Sequence, residues 1–141
     1  MSKQGGTEEM SKKTNTENSE LTEALEMYIK TIHELEVEFG AAAPSDIAEK
    51  LEVKAPSVTS ALQKLDALGM ATYQRYQHVN LTEKGREIAK MLDRRHQTLH
   101  DFLILIGVNE EVALSDACEI EHVVHKETIE KLAQFMKKHK K

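Results

Sequence analysis

The stretch SDIAEKLEVKAPSVTSALQKLDALG, residues 45–69, decides the fold because it encodes two helices around a tight turn. Apolar residues recur at three- and four-residue steps on both sides of residues 52–55, which is the spacing of amphipathic helices. Pro56 falls in the first turn of the second helix, where its missing N–H costs no hydrogen bond, and Gly69 ends that helix. The stretch therefore predicts a helix-turn-helix, whose second helix is typical of those that enter a DNA major groove.

The sequence on either side of this stretch predicts a helix before it and a short hairpin after it. Apolar residues keep helical spacing through residues 21–39, and Gly40 ends the pattern. Residues 70–81 place alternating and aromatic residues around a polar centre, as short hairpins do. The order helix, helix, turn, helix and hairpin predicts a winged helix-turn-helix in which the hairpin is the wing.

The rest of the chain predicts an all-helical annex. Thr82 and Glu83 open a long helix that carries an apolar stripe as far as Ile106. Asn109 is placed to cap a shorter helix that runs to about residue 122, and a last helix begins near Lys126. We therefore expect a mainly α fold, with a winged helix-turn-helix followed by an all-helical annex.

The composition of the 141 residues limits the possible classes of protein. Hydrophobic residues make up 40%, Gly numbers six and Pro two, which excludes collagen-like and loop-dominated chains. A single Cys excludes an internal disulfide framework. Residues 1–20 are polar and predict a disordered tail rather than a signal peptide, and no apolar run approaches the roughly 20 residues of a membrane span. We expect a cytoplasmic protein without a membrane partner.

Several residues of the predicted recognition helix and wing are of types that contact DNA. Hydroxyl groups can bond phosphates or base edges, Pro56 can pack against a thymine methyl group, and basic side chains suit phosphate. The net charge of −5 argues mildly against indiscriminate nucleic-acid binding but allows a locally basic surface. Ser and Thr at a helix start also act simply as caps, so the assignment depends on the helix order. The candidates are Lys54, Pro56, Ser57, Thr59, Ser60, Lys64 and Arg75.

The annex carries a set of candidate metal donors. Cys118, Glu121 and His122 are spaced i, i+3 and i+4, which places thiolate, carboxylate and imidazole on one helix face. This mixed set suits a divalent transition metal, although three donors on one helix do not complete a site. Further donors could come from elsewhere in the chain: Met27, His96, His100, and less readily His33 and His125.

Each donor also has a structural interpretation, and two rival functions remain open. Met27 could be core, the histidines could be solvated, and a buried Cys is usually an inert small hydrophobe. A winged-helix regulator could instead use Cys118 as a redox thiol, bind DNA without metal and release it on oxidation. An enzyme could pair Cys118 with His122 as nucleophile and base, but no third group or oxyanion hole accompanies them.

From about residue 21 to residue 135, the chain resembles the diphtheria toxin repressor, or iron-dependent repressor, family of metal-activated transcription regulators. The motifs that carry the resemblance are specific in combination. They are Glu26–Ile32 (EMYIKTI), Ser45–Leu51 (SDIAEKL), Pro56–Thr59 (PSVT), Leu81–Gly85 (LTEKG), Arg94–His96 (RRH), and the segment from Asp116-Ala117-Cys118 to Glu121-His122.

The resemblance implies a DNA-binding domain at residues 21–83 and a helical metal-binding and dimerisation domain at residues 84–141, without the C-terminal barrel of larger members. It implies one metal site made of Met27, Cys118, Glu121 and His122. It also implies a second site that uses His96 and a carboxylate one turn later; this position is His100 here. A further histidine of that second site corresponds to Leu114, which cannot bind metal, so this site is altered.

The same resemblance bears on the metal. Manganese-type members have acidic residues at the positions of Met27 and Lys30 and a Glu at the position of Cys118. Thiolate and thioether suit Fe²⁺ and softer metals, whereas carboxylates suit Mn²⁺. We therefore expect an Fe²⁺-dependent transcriptional repressor that binds operator DNA as a homodimer and controls metal-uptake genes. A manganese-responsive regulator of the same family is the alternative, and Zn²⁺, Co²⁺ or Ni²⁺ could fill such a site in vitro.

Overall fold

The computed structural model describes residues 21–74 and 77–139 of the chain. The expected disordered tail at residues 1–20 lies outside them. In the described part, the chain forms a mainly helical fold with one short antiparallel hairpin. The elements are α1 (Glu23–Phe39), α2 (Pro44–Leu51), α3 (Ala55–Ala67), β1 (Ala71–Thr72), β2 (Asn80–Leu81), α4 (Glu83–Leu105), α5 (Glu110–Ile120) and α6 (Lys126–His139). The predicted fold class is confirmed.

The first helix is defined by a cap at each end and by a buried apolar face. The Thr22 hydroxyl accepts a hydrogen bond from the Leu25 N–H at the start of α1. Gly40 adopts the left-handed conformation, with φ of 89°, and its N–H bonds back to the Glu36 carbonyl. Ile29 and Ile32 are fully buried, so α1 forms the centre of the core on which α2, α3 and the hairpin pack.

The predicted helix-turn-helix is present in α2 and α3. Glu52 ends α2 in the left-handed conformation, with φ of 57°, and this turns the chain towards α3. Pro56 lies in the first turn of α3 as expected. Val58 and Leu62 are buried on one face of α3, so the opposite face is left for solvent or a partner.

The wing is short and tied to the core by backbone and side-chain hydrogen bonds. Its strands pair Ala71 with Leu81 in antiparallel register. Ala42 extends the ladder through an isolated bridge to Val79, with N–O distances of 3.1 and 2.8 Å. The Glu36 carboxylate of α1 accepts a 2.8 Å hydrogen bond from the Leu81 N–H. These contacts hold the base of the wing against α1.

The annex packs α5 and α6 against the long helix α4. Thr82 caps α4 by accepting from the Gly85 N–H, and Asn109 caps α5, both as predicted. The apolar stripe of α4 was predicted to reach Ile106, but the helix ends at Leu105 and Ile106 is 58% exposed. No residue of α6 is buried, so a substantial apolar surface of the annex has no partner within the described chain.

Two expectations from the sequence stay predictions. Within residues 21–74 and 77–139, no helix is both long and apolar enough to cross a bilayer. The cytoplasmic location is not tested by this finding. The boundary between the two expected domains, at residues 83 and 84, coincides with the start of α4 but is likewise untested.

Candidate metal centre and nucleic-acid interface

The candidate metal centre lies where α1 of the winged helix-turn-helix meets the end of α5. Glu121 ends α5 as its C-terminal cap, and its side chain is fully buried. One carboxylate oxygen, Oε1, lies 2.9 Å from His96 Nδ1 on α4. The other, Oε2, forms an ion pair with the Lys30 ammonium on α1. A buried carboxylate is energetically costly unless it is paired, and both oxygens of Glu121 have a partner. These two contacts connect α1, α4 and the end of α5 at one point.

His122 follows directly in the turn after α5 and faces α1. Its side chain is 1% exposed. Nδ1 lies 2.8 Å from Glu26 Oε1, whereas Nε2 lies 3.1 Å from Met27 Sδ and 3.5 Å from Glu121 Oε2. Cys118, Glu121 and His122 were expected on one face of a helix. Because α5 ends at Ile120, Cys118 lies within the helix, whereas Glu121 lies at its end and His122 in the following turn.

The tautomer of His122 follows from these neighbours. The Glu26 carboxylate only accepts hydrogen bonds, so Nδ1 carries a proton and donates it. In the neutral ring, Nε2 then presents a lone pair to the Met27 sulfur and the Glu121 oxygen, which also present lone pairs. Separations of about 3–3.5 Å are those of donor atoms that share one metal ion. The carboxylate behind the imidazole matches the outer-shell partner that metal-binding histidines commonly have.

Cys118 completes the set of donors predicted for this site. It is half-buried on α5 and borders a cavity of about 630 Å³ together with Met27, His96 and His122. Its sulfur lies 4.0 Å from the Lys30 nitrogen. A thioether, a thiol, a carboxylate and an imidazole therefore lie in the same region, and these donor types suit a divalent transition metal.

The donors do not converge as they stand. In the part of the chain that the structure describes, no three His, Cys, Asp or Glu side chains form a group that could hold a metal ion. The Lys30 ammonium contacts both Glu121 and Cys118. The residues fit a divalent transition metal through the chemistry of their donor atoms.

The two residues of the second site implied by the resemblance stack on α4, with ring centroids 6.2 Å apart, but have different hydrogen-bond partners. His96 is turned towards Glu121, whereas His100 Nε2 lies 3.1 Å from Glu110 and Nδ1 lies 3.4 Å from Asp101. Hydrogen bonds to Glu110, and then to Asp101, raise the pKa of His100.

Three other residues considered from the sequence contribute no donor atom to the cavity. Leu114 borders it but offers no donor atom. His125 is exposed in the turn before α6. His33 is half-buried on α1, and its Nδ1 is buried without a hydrogen-bond partner among the described residues.

The candidate DNA-binding residues of α3 are mostly exposed. Val58 and Leu62 face the core, so the exposed face carries the hydroxyl and basic groups. Thr59 borders the groove between α3 and the wing, whereas Ser57, Ser60 and Lys64 border the groove beside α1. Both Lys54 and Pro56 are exposed at the start of α3. Arg75 lies outside the described residues.

Sequence reasoning missed three residues that the structure places at these surfaces. Glu26 orients His122, and Lys30 contacts Glu121 and Cys118. Lys30 follows Met27 by three residues and Glu26 by four, and these spacings were a signal that could have placed Lys30 on the same side of α1 as each of them. Gln63 is exposed on α3 beside Thr59, one helical turn away, and belongs to the same groove.

Known proteins resemble both halves of the chain. The family model described as "Iron dependent repressor, N-terminal DNA binding domain" matches residues 20–79. The model described as "Iron dependent repressor, metal binding and dimerisation domain" matches residues 82–141. Together they cover nearly the whole described structure.

Curated relatives are named as regulators. The "HTH-type transcriptional regulator MntR" of Lysinibacillus sphaericus (strain C3-41) is 40% identical over 115 residues, which are 82% of this chain and 83% of the relative. The protein of the same name from Bacillus subtilis (strain 168) is 41% identical over 115 residues, or 82% and 81% of the two chains. Transcriptional regulators are not enzymes, so the enzyme alternative is set aside.

Solved structures give the same result, and the identification follows from both comparisons. The manganese regulator SloR is 29% identical with a TM-score of 0.70, covering 80% of this chain and 53% of that one. The T. acidophilum IdeR is 32% identical with a TM-score of 0.69, covering 79% and 53%. This chain thus spans about half the length of these two proteins. With a winged helix-turn-helix, a helical annex and matches over both, the chain belongs to the iron-dependent repressor family of metal-dependent transcription regulators.

Proposed function

We propose that the chain is a transcriptional repressor that binds operator DNA as a homodimer with Mn²⁺ as its corepressor. Family membership supports the metal-dependent regulator, and the curated relatives named MntR support manganese. The similarity to the manganese regulator SloR adds to this support. The earlier expectation of Fe²⁺ has less support from the comparisons and becomes the second candidate.

The single observation that carries the proposal is the distribution of the donors over two units. Met27 lies on α1, which packs beneath the recognition helix α3, whereas Glu121 and His122 lie at the end of α5 in the annex. A bound divalent cation would supply the positive charge that draws these donors together. The position of α1 relative to the annex then depends on metal, and α3 moves with α1 as part of one core.

The apolar surface of the annex supports the homodimer. Large hydrophobic side chains are exposed along the annex, whereas in the winged helix-turn-helix Val37 and Phe39 at the end of α1 are the exposed ones among the described residues. A dimer formed through this surface would hold two recognition helices at a fixed separation, as binding to two DNA half-sites requires. The exposed residues of the annex are Ile104, Leu105, Ile106, Val112, Leu114, Val123 and Phe135.

One observation favours Fe²⁺ as the second candidate. Two of the four proposed donors, Met27 and Cys118, are sulfur atoms, and soft ligands suit the later divalent metals better than Mn²⁺. The support for Mn²⁺ comes from overall similarity to relatives, whereas the two sulfur atoms that favour Fe²⁺ belong to this chain. A direct measurement with both metals distinguishes the candidates.

The test is a comparison of DNA affinity with each metal and with none. Duplexes that bind the protein are first selected from a random library under anaerobic conditions with either metal present. Binding of a selected duplex is then measured with Mn²⁺, with Fe²⁺ and with chelator. We expect metal to tighten binding, at a lower concentration for the true corepressor. Equal affinity with metal and with chelator would contradict metal dependence and leave the redox-thiol regulator as the explanation.

Substitution of Met27 is expected to change the preference between the metals. Met27→Asp replaces a soft thioether with a hard carboxylate, so the ratio of Mn²⁺ to Fe²⁺ affinity should rise by about tenfold. The measurement is competition of each metal against a chelating dye under anaerobic conditions. Met27→Leu is the matched control, since it keeps the apolar volume and removes the sulfur. If Met27→Leu binds both metals as the unchanged protein does, Met27 is core and not a ligand.

A further inference from the structure

We infer that Lys30 is a built-in competitor for the metal site, which holds the donors in the metal-free chain and sets the metal concentration at which the site fills. The inference rests on the proposed metal site. It concerns a residue that does not itself ligate metal, and it predicts how this chain differs from one with a neutral residue at that position.

The first step is the position of the ammonium. Lys30 lies on α1, one helical turn after Glu26, and points across to the end of α5. Its nitrogen forms an ion pair with Glu121 Oε2 and lies 4.0 Å from Cys118 Sγ. A single positive charge therefore engages two of the four proposed donors.

The second step is the need for that charge in the metal-free chain. The Glu121 side chain is fully buried, and an ionised carboxylate in such a place is strongly unfavourable without a partner. His96 offers one hydrogen bond to the other oxygen, whereas Lys30 forms an ion pair with the carboxylate. Arg95 bonds only the backbone carbonyl of Glu121, so Lys30 is the cation that pairs directly with its carboxylate in the metal-free chain.

The third step is the route by which Lys30 can leave. A metal ion and an ammonium cannot both occupy the space beside Glu121 Oε2, because like charges at that distance repel strongly. The Lys30 side chain is 15% exposed, so its flexible stem already reaches the protein surface. Turning the ammonium out into water restores its hydration at a small cost. Metal binding therefore includes the loss of the Lys30–Glu121 pair, which lowers the measured metal affinity.

The experiment measures metal affinity and thermal stability for Lys30→Met, which keeps length and removes charge. Isothermal titration with Mn²⁺ alone should show binding about ten- to a hundredfold tighter than in the unchanged protein. The metal-free variant should melt about 10 °C lower, because Glu121 has lost its counter-ion. Lys50→Met is the matched control: Lys50 pairs with Glu34 at 3.2 Å on the surface, away from the site, and neither quantity should change.

A second variant keeps the inference testable if Lys30→Met does not fold. Lys30→Arg preserves the charge and can bind a carboxylate through two parallel hydrogen bonds, so Mn²⁺ affinity should fall severalfold while metal-free stability is kept. A purely structural role for Lys30 predicts lower stability in Lys30→Met with unchanged or weaker metal affinity, and that result overturns the inference. If the unchanged protein itself binds no metal, the proposed function fails instead.

Discussion

Replacement of His122 with alanine is expected to abolish metal-dependent DNA binding and to weaken metal affinity by more than about a hundredfold. Removal of an outer-shell partner of a metal ligand already costs about 10- to 100-fold, so loss of a ligand should cost more. His122 Nε2 lies 3.1 Å from Met27 Sδ and 3.5 Å from Glu121 Oε2, so its loss removes a nitrogen donor between these two groups. Titration with Mn²⁺ and Fe²⁺, followed by DNA binding, measures both effects.

Two further variants make this prediction specific. His125→Ala removes an exposed histidine three residues further along, and should leave metal affinity and DNA binding unchanged. Glu26→Gln keeps the shape of the side chain behind His122 Nδ1 but removes its charge, so metal affinity should fall by about 10- to 100-fold. If His122→Ala stays folded and still binds metal as tightly as the unchanged protein, the site is not where we place it.

The second large effect concerns Gly85 in the first turn of α4. A Cβ atom at this position would overlap the backbone carbonyl oxygen of Met70 and lie 3.2 Å from a methyl group of Leu81. The Met70 carbonyl accepts a 3.0 Å hydrogen bond from the Thr82 N–H, so it cannot move without breaking the junction between the wing and α4. Gly85→Ala should therefore lower the free energy of unfolding by about 2–3 kcal/mol or more.

This effect is opposite in sign to that of an ordinary substitution in a helix. Gly→Ala in an unobstructed helix stabilises by about 0.4–1 kcal/mol, because it restricts the unfolded chain. Lys84→Ala, one residue earlier on the exposed side of α4, is the control and should change stability by less than about 0.5 kcal/mol. Urea denaturation of the metal-free proteins compares them. A stable Gly85→Ala variant would mean that α4 and the wing pack less closely than the structure indicates.

Most of the winged helix-turn-helix was predictable because its signals are local. The spacing of apolar residues on α3, Pro56 in its first turn and the cap at Thr82 depend on neighbours within one or two helical turns. The limits of the annex helices were less predictable. Ile106 fits the apolar period of α4 but is exposed, because periodicity identifies an apolar face and not whether the same chain covers it.

The residue types at the candidate metal site were also evident in the sequence, since Cys118, Glu121 and His122 lie within five residues. Their partners were not. Glu26 and His122 are 96 residues apart, and Lys30 and Glu121 are 91 apart, so no spacing rule connects them. The donor chemistry and the mainly helical fold follow from side-chain type and local period. That an ammonium lies among the donors follows only from the packing of α1 against the end of α5, because long-range contacts depend on which faces the folded core brings together.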